Sequence, residues 1–313
     1  MRESTYLPEG YRLFNSDNRE YLSSYSGLER AMERHITLES TALLCDNEMN
    51  LHIDLGDIPA VMPRGEVQYC RAGEEIKDIA VLTRVGRPIC FKVVGFTVDE
   101  YGRRTAIVSR RAAQAECLVN FVSTLIPGDV IPAKVTHMES FGAFVDIGCG
   151  IVSLLSIDCI SVSRIAHPRD RFSVGDFLSV VIRQIDGEGR IFVTHRELLG
   201  TWAENAARFT PGQTVVGVVR SIESYGIFVE LAPNLAGLAE LKEDVKVGQN
   251  AAVYIKSIIP EKMKVKLIVI DAHSAQKPSR PLDYFMNAES VSHISRWRYS
   301  PPESDRVIET IFE

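Results

Sequence analysis

The sequence has few of the features typical of a secreted, membrane-spanning or disulfide-bonded protein. Its 313 residues include only six cysteines, with no Cys-x-x-Cys pair and no regular spacing. This usage favours reduced, mostly buried thiols. No apolar run approaches ~18 residues, and the first residues lack an apolar signal-peptide core, so we expect neither a membrane span nor secretion. Together these absences predict a cytoplasmic protein.

An excess of positive charge is also missing. The chain has 35 Lys and Arg against 41 Asp and Glu, which gives a formal net charge of −6 at pH 7. A protein of this charge does not coat duplex nucleic acid by electrostatics alone, although a locally basic groove is compatible with it.

Sequence signatures of catalysis are absent as well. There is no Gly-rich loop followed by Lys-Ser/Thr, no Gly-x-Gly-x-x-Gly after a strand, no His-Glu-x-x-His and no Gly-x-Ser-x-Gly. The seven histidines are scattered, and none lies at zinc-ligand spacing from cysteines. We therefore expect no enzymatic activity, no metal and no small-molecule cofactor.

What the sequence does contain is a motif that occurs twice. Residues 140–147 read SFGAFVDI and residues 224–231 read SYGIFVEL. Gly142 and Gly226 are 84 residues apart, and a Pro-Gly pair at 127–128 recurs at 211–212 with the same offset. A repeat of this length is a domain, larger than the ~20–50-residue modules of solenoids.

The chain from residue 36 onward consists of short alternating runs broken by Gly, Pro, Asn and Asp. This pattern is typical of small antiparallel β barrels or sandwiches, and five strands can be counted in each clear copy. A degenerate first copy precedes them, in which residues 51–56 (LHIDLG) take the place of AFVDIG. We predict seven segments: an N-terminal helical extension (1–35), a degenerate domain (36–112), a helical linker (113–125), a domain (126–198), a helical linker (199–209), a domain (210–271) and a C-terminal extension (272–313).

The C-terminal extension has three open interpretations. Its residues 296–302 are rich in side chains that can stack. The extension could pack back across the domains, contact nucleic acid, or be disordered.

Strand parity divides the repeated motif into two sets of side chains. Because successive side chains of a strand point to opposite faces, Ala143, Val145 and Ile147 should fill the barrel and Phe144 should lie outside beside Asp146. The same parity predicts two more outward pairs, Phe228 with Glu230 and His52 with Asp54.

An aromatic ring on the open face of a five-stranded barrel can stack an unpaired base, which is worth about 1–3 kcal/mol per base. Each copy also has groups that could contact the neighbouring phosphates. They are Arg183, Asp186 and Arg190 in the second copy, Asp99 and Arg103 in the first, and Lys256, Lys262, Lys264 and Lys266 in the third. The alternative is that the outward rings pack against the next domain or the helices between domains.

Residues 127–129, 140–148, 174–176 and 186–194 together resemble the S1 RNA-binding domain, a family of OB-fold modules repeated in the ribosomal protein of that name. The resemblance covers about 36–271 and is weaker in the first copy. It implies a mainly β chain of three tandem five-stranded OB-fold (S1-type) barrels with short connecting helices and N- and C-terminal extensions.

The RNA face of that family has two aromatics, a His and an Asp–Arg pair. Carried over, these positions fall on Phe141, Phe144, Ser156, Asp186 and Arg190 in the second copy. In the third copy they fall on Tyr225 and Phe228, with Glu240 at the His position, and in the first on His52, Asp99 and Arg103, with Met49 and Pro63 replacing an aromatic and the His. No copy has the full set, and the second comes nearest.

We therefore expect a non-catalytic protein that binds single-stranded RNA with little sequence preference, in translation or RNA metabolism. The expected contact residues are Phe141, Phe144, Arg183, Asp186, Arg190, Tyr225, Phe228, Lys256, Lys264, His52, Asp99 and Arg103. The alternative is a scaffold whose OB faces bind ribosomal or other RNA-machinery proteins, and the overall acidity favours it. Single-stranded DNA is a third possible ligand.

Overall fold

The computed structural model describes residues 6–70, 73–98, 100–274 and 282–313. These residues form three closed five-stranded barrels and one two-stranded sheet, connected by short helices. The prediction of a mainly β chain with three tandem OB-type barrels is confirmed.

The first barrel follows two helices, α1 (Ser16–Leu22) and α2 (Tyr25–Glu33). Its elements are β1 (Leu38–Cys45), β2 (Leu51–Ile53), β3 (Ala60–Met62), α3 (Asp78–Leu82), β4 (Pro88–Val98) and β5 (Arg104–Ser109). The strand order is β1-β2-β3-β5-β4, in which β3 and β5 are parallel. Helix α4 (Arg110–Asn120) begins directly after β5, where the hydroxyl of Ser109 accepts a hydrogen bond from the backbone N–H of Ala112 and caps the helix.

The second and third barrels repeat this plan. The second consists of β6 (Val130–Glu139), β7 (Gly142–Asp146), β8 (Val152–Ser156), β9 (Phe177–Ile185) and β10 (Ile191–Thr194), and it is followed by α5 (Trp202–Ala206). The third consists of β11 (Thr214–Glu223), β12 (Gly226–Ala232), β13 (Leu235–Ala239), β14 (Asn250–Ile259) and β15 (Lys264–His273). Strands β16 (Arg296–Arg298) and β17 (Glu309–Ile311) pair with each other in the C-terminal extension.

The inward side of the repeated motif fills the barrels as its alternation predicts. Ala143, Val145 and Ile147 are at most 1% exposed, and Ile227 and Val229 are fully buried. These small and branched side chains suit a narrow barrel interior, so the same parity leaves the aromatic rings on the outside.

The described residues divide into two compact units. One contains Ile126–Val145 and Ser153–Glu313, and the other contains the described residues up to Leu125 together with Asp146–Val152. In the first of these units the C-terminal extension packs back onto the barrels, since Trp297 and Tyr299 belong to the same buried apolar cluster as Trp202. Packing is therefore the correct one of the three interpretations for these described residues of the extension.

Candidate nucleic-acid interface

The two clear copies each carry a pair of aromatic rings on the outside of the barrel. Phe141 is 53% exposed, and its ring centre lies 6.0 Å from that of the half-buried Phe144, at an interplanar angle of 90°. Tyr225 is 68% exposed and stands at the same distance and angle from Phe228. Phe141 and Tyr225 therefore present flat surfaces to solvent rather than packing against a neighbouring domain.

A third ring adjoins the pair of the second copy. His137 on β6 stacks beside Phe144, with ring centres 6.1 Å apart and planes inclined by 26°. Its Nε2 lies 2.6 Å from the Glu139 carboxylate. His137 is not among the residues predicted from the sequence, because its position beside Phe144 depends on a bulged register: Ser221, 84 residues later in the third copy, likewise pairs across a bulge with Phe228.

The arginines of the second copy are already engaged by other side chains. Arg190 Nε donates to Asp186 Oδ2 at 2.7 Å, and Arg190 Nη1 lies 3.2 Å from a carboxylate oxygen of Glu188. Asp186 also accepts the backbone N–H groups of residues 188 and 190, so the pair fixes the β9–β10 turn. The hydrogen bonds from Arg190 and the turn lower the pKa of Asp186. Arg183 Nη1 donates to the Cys159 sulfur at 2.8 Å and lies 4.0 Å from the Asp158 carboxylate.

Three lysines of the third copy differ from these arginines. Lys256, Lys264 and Lys266 are exposed, and none has a hydrogen-bond or ion-pair partner in the part of the chain that the structure describes. Phe228 pairs with Leu238, which in turn pairs with Lys266. Lys266 is thus two strands away from Phe228, about 10 Å, on the same outer face.

The first copy has no comparable ring pair among its described residues. His52 is half-buried, and its Nε2 lies 3.2 Å from the Asp46 carboxylate. Arg103 stacks over the Tyr101 ring at 5.4 Å, and Asp99 lies outside the described residues. Met49, at the position of the missing aromatic, adopts a left-handed backbone with φ of 66°.

The prediction that Asp146 lies outside is wrong. Asp146 is 1% exposed, and its carboxylate accepts the backbone N–H groups of Glu9, Gly148 and Gly150 at 2.7, 2.8 and 2.9 Å. Burial, together with the nearby Glu9 carboxylate, raises the pKa of Asp146 to about 7. Parity assigns the side of the strand correctly, but it does not specify which segment covers that side.

Glu230 is buried for the same reason. It is 7% exposed and accepts hydrogen bonds from Arg171 Nη2 at 2.6 Å and Arg220 Nε at 2.7 Å. Arg171 comes from the long loop before β9, so a distant segment closes over the carboxylate. Neither Asp146 nor Glu230 is exposed beside the outward ring of its motif.

Three other features bear on function. No helix in the described ranges is both long and apolar enough to cross a membrane. All six cysteines are described and are free thiols. Among the described side chains, no group of three or more His, Cys, Asp or Glu is placed to hold a metal ion.

Comparison with known proteins identifies related sequences. The model of the S1 RNA binding domain matches residues 124–196. Small ribosomal subunit protein bS1 of Rhodopseudomonas palustris is 28% identical over 278 residues, which are 86% of this chain and 46% of that protein. The bS1 of Staphylococcus aureus is 31% identical over 211 residues, 62% of this chain and 52% of that protein. The chain thus spans about half the length of the curated relatives it matches.

Solved structures give a looser likeness. One of them is a multidomain protein with nucleic acid binding domains from Streptococcus pneumoniae, whose alignment with this chain covers 75% of this chain and 73% of that protein. The aligned residues are 14% identical, and the TM-score is 0.25. The sequence comparisons, and not this structural likeness, confirm the resemblance predicted from the sequence. Residues 124–196 match the S1 RNA-binding domain family, and the wider chain is similar to small ribosomal subunit proteins bS1.

Proposed function

We propose that this chain binds single-stranded RNA on the outer faces of its second and third barrels and catalyses no reaction on it. The observation that carries the proposal is the duplicated ring pair, Phe141 with Phe144 and Tyr225 with Phe228, at the same 6.0 Å and 90°. Neighbouring exposed rings that form a patch on a soluble protein commonly mark a binding site. Stacking on rings tolerates any base, which accounts for binding with little sequence preference.

Free cations support the same ligand. Lys256, Lys264 and Lys266 stand around the outer face that carries Phe228, where a phosphate backbone would pass. If each lysine neutralises one phosphate, log K should fall with log salt at a slope of about −2, because each contact with single-stranded nucleic acid contributes about −0.7. Similarity to bS1 proteins supports a cytoplasmic setting in translation, with the ribosome as a partner.

A protein-docking scaffold is the second candidate function. It is favoured by the second copy, where Arg183 and Arg190 are engaged by carboxylates, and by Glu240 at the third copy's His position. The net charge of −6 also opposes non-specific binding to RNA.

Titration of a labelled single-stranded RNA of about 12 nucleotides, a length within the reach of OB folds, distinguishes the two functions. Fluorescence anisotropy at about 50 and 200 mM salt should show salt-sensitive binding by the wild type. Phe141→Ala/Phe144→Ala and Tyr225→Ala/Phe228→Ala should each weaken binding about 10-fold, since each pair loses stacking on one base or more. Phe14→Ala is the matched control, because Phe14 is 80% exposed and lies outside both faces.

Two results would count against the RNA function. A wild type without salt-sensitive binding would leave the scaffold as the better candidate. Binding that survives both double substitutions would place the RNA site away from the ring pairs. A DNA oligonucleotide of the same sequence, run in parallel, tests whether the ligand is RNA specifically.

A further inference from the structure

In each barrel the first and fourth strands form an outer face, and in two of the three barrels the chain covers this face itself. In the first barrel, α2 and α4 pack on β4. Lys92 of that strand is 8% exposed and pairs with Glu116 of α4 at 2.7 Å.

In the second barrel, the C-terminal extension covers the equivalent face. The backbone N–H of Ala288 donates to Ser179 Oγ at 3.0 Å, and the backbone N–H of Val130 donates to the carbonyl of Ser292 at 3.0 Å. Val181, which pairs with Val130, is fully buried as a result.

In the third barrel, no described residue covers the corresponding face, and that face is apolar. The pair Thr214–Tyr254 occupies the position that Val130–Val181 occupies in the second barrel. Tyr254 is 37% exposed, whereas Val181 is fully buried. Tyr254 pairs in turn with Ile268 of β15, so the face extends across three strands. We call it the β15 face, and its exposed apolar members are Val216 (47%), Tyr254 (37%), Ile268 (45%) and Ile270 (53%).

The charges on the β15 face are opposite at its two ends. Along the outward side of β15 come Lys264, Lys266 and Ile268. Asp271 follows on the same side, since it pairs with the outward-facing Ala252 across a bulge at Ile270. Two copies of β15 laid antiparallel, face against face, therefore bring the isoleucines together and set Lys266 of each copy against Asp271 of the other. A face that is complementary to itself in this way is what a two-fold dimer requires.

We propose that the β15 face binds a second copy of this chain in a symmetric dimer. The mixed charge favours a second copy over an acidic peptide or RNA, which would match the lysines but not Asp271 and would leave the isoleucines uncovered. We expect a face of three strands to bury less than the about 800 Å² per partner of a standard interface, so the dimer should be weak and concentration-dependent. This proposal does not rest on RNA binding, but Lys264 and Lys266 belong to both faces, so RNA and a second copy would compete for them.

Sedimentation equilibrium on nuclease-treated, RNA-free protein tests the proposal. The average mass should rise toward that of a dimer between about 5 and 500 µM chain, the range expected for a weak interface. Ile268→Ser should lower the association constant at least about 10-fold, because it removes buried apolar surface at the centre of the interface on both copies. Val307→Ser is the matched control, since Val307 is 57% exposed but lies in the C-terminal extension.

Charge exchange tests the orientation of the two copies. Lys266→Asp and Asp271→Lys should each weaken the dimer, whereas the double variant should restore it, because each copy then presents the opposite end to its partner. All variants should keep the wild-type thermal unfolding midpoint, since the residues point outward. A wild type that stays monomeric over the whole range overturns the proposal, as does a dimer that Ile268→Ser leaves unchanged. If the double variant associates no more tightly than the single variants, the antiparallel arrangement is overturned.

Discussion

His195 lies fully buried in the second barrel with both ring nitrogens engaged. Its Nδ1 is 2.8 Å from the carbonyl oxygen of Ile160, which can only accept, so Nδ1 carries the proton. Its Nε2 is 2.9 Å from the hydroxyl of Tyr284, which therefore donates to it. Phe172 packs edge-to-face against the ring at 5.2 Å. The neutral imidazole is fully satisfied, and burial lowers the pKa of His195 to about 4 from its ordinary 6.5.

This histidine should make stability fall on mild acidification. Because the folded pKa is below the unfolded one, the unfolded chain binds more protons between pH 4 and 6.5. The stabilisation is complete above about pH 6.5 and is lost as the pH falls toward 4, by about 3 kcal/mol. Urea unfolding at several pH values measures it through tryptophan fluorescence, since Trp202 and Trp297 both lie in the same unit as His195.

Substitution identifies the group responsible. His195→Gln should flatten the dependence between pH 4 and 6.5, because glutamine does not titrate. His273→Gln, at an exposed position on β15, should leave the slope unchanged. An equal loss of stability in His195→Gln and in the wild type would show that other groups cause it.

At the level of the strand, β7 and β12 each begin with a glycine because the neighbouring strand passes too close for a side chain. A Cβ at Gly142 would lie 2.6 Å from the carbonyl oxygen of Leu155, and one at Gly226 would lie 2.5 Å from that of Ala239. Gly226 also has a φ of 151°, which other residues rarely adopt. The identity of the two glycines is thus a packing requirement of the β7–β8 and β12–β13 contacts.

Gly226→Ala should therefore destabilise the third barrel by about 2 kcal/mol, the usual cost of forcing an atom into packed structure. Urea unfolding followed by tryptophan fluorescence provides the measurement. Gly187→Ala is the control, because no atom lies within 4 Å of its Cβ position and the residue is in the same unit. If both variants lose the same stability, the close approach to Ala239 is not the reason for the glycine.

The sequence predicts the strands and their inward side chains better than it predicts the distant segments that pack on them. Alternation and the 84-residue repeat depend on neighbours in the chain, so the barrels and the inward set of Val145 and Val229 could be predicted. The burial of Asp146 could not, because the segment that covers it comes from Glu9, far away in sequence. The stacking of His137 on Phe144 depends on bulged hairpin register, which alternation alone does not reveal.

The same limit applies to the candidate site. The exposed ring pairs follow from parity within one strand. Whether an arginine is free depends on which carboxylate lies beside it. Asp158 precedes Arg183 by 25 residues and lies on a different segment from β9, yet its carboxylate is 4.0 Å from the Arg183 guanidinium. The contact roles of the twelve expected residues are predictions that the RNA titration tests.

On the scale of the whole molecule, the described chain divides into two compact units. The unit that contains the first barrel is tied together by a buried ion pair. Arg110 Nε donates to Glu9 Oε1 at 2.6 Å and Arg110 Nη2 to Glu9 Oε2 at 3.0 Å, with Arg110 1% and Glu9 7% exposed. Burial opposes the charge on Glu9, but the Arg110 guanidinium nevertheless holds the pKa of Glu9 below its ordinary value. The two residues are 101 positions apart, and no periodicity in the sequence signals such a pair.

Breaking this pair should destabilise one unit and spare the other. Glu9→Gln leaves the Arg110 charge buried without its partner, at a cost of about 3–5 kcal/mol. Calorimetry or far-ultraviolet circular dichroism should show a transition moved to lower temperature, while the transition reported by Trp202 and Trp297 stays in place, since both lie in the other unit. Glu309→Gln, which removes the half-buried partner of the exposed Arg296, should cost less than about 1 kcal/mol.

The double variant Glu9→Leu/Arg110→Leu separates charge burial from packing. Because replacing both charges removes the unpaired ion, it should be more stable than Glu9→Gln. A double variant as unstable as Glu9→Gln would mean that the hydrogen bond from the Cys90 backbone N–H to the Glu9 carboxylate, 3.1 Å from N to O, matters as much as the ion pair, because leucine at position 9 removes this acceptor. If Glu9→Gln also lowers the midpoint of the tryptophan transition, the two units unfold cooperatively. The division of the chain into two units would then describe its contacts but not its unfolding.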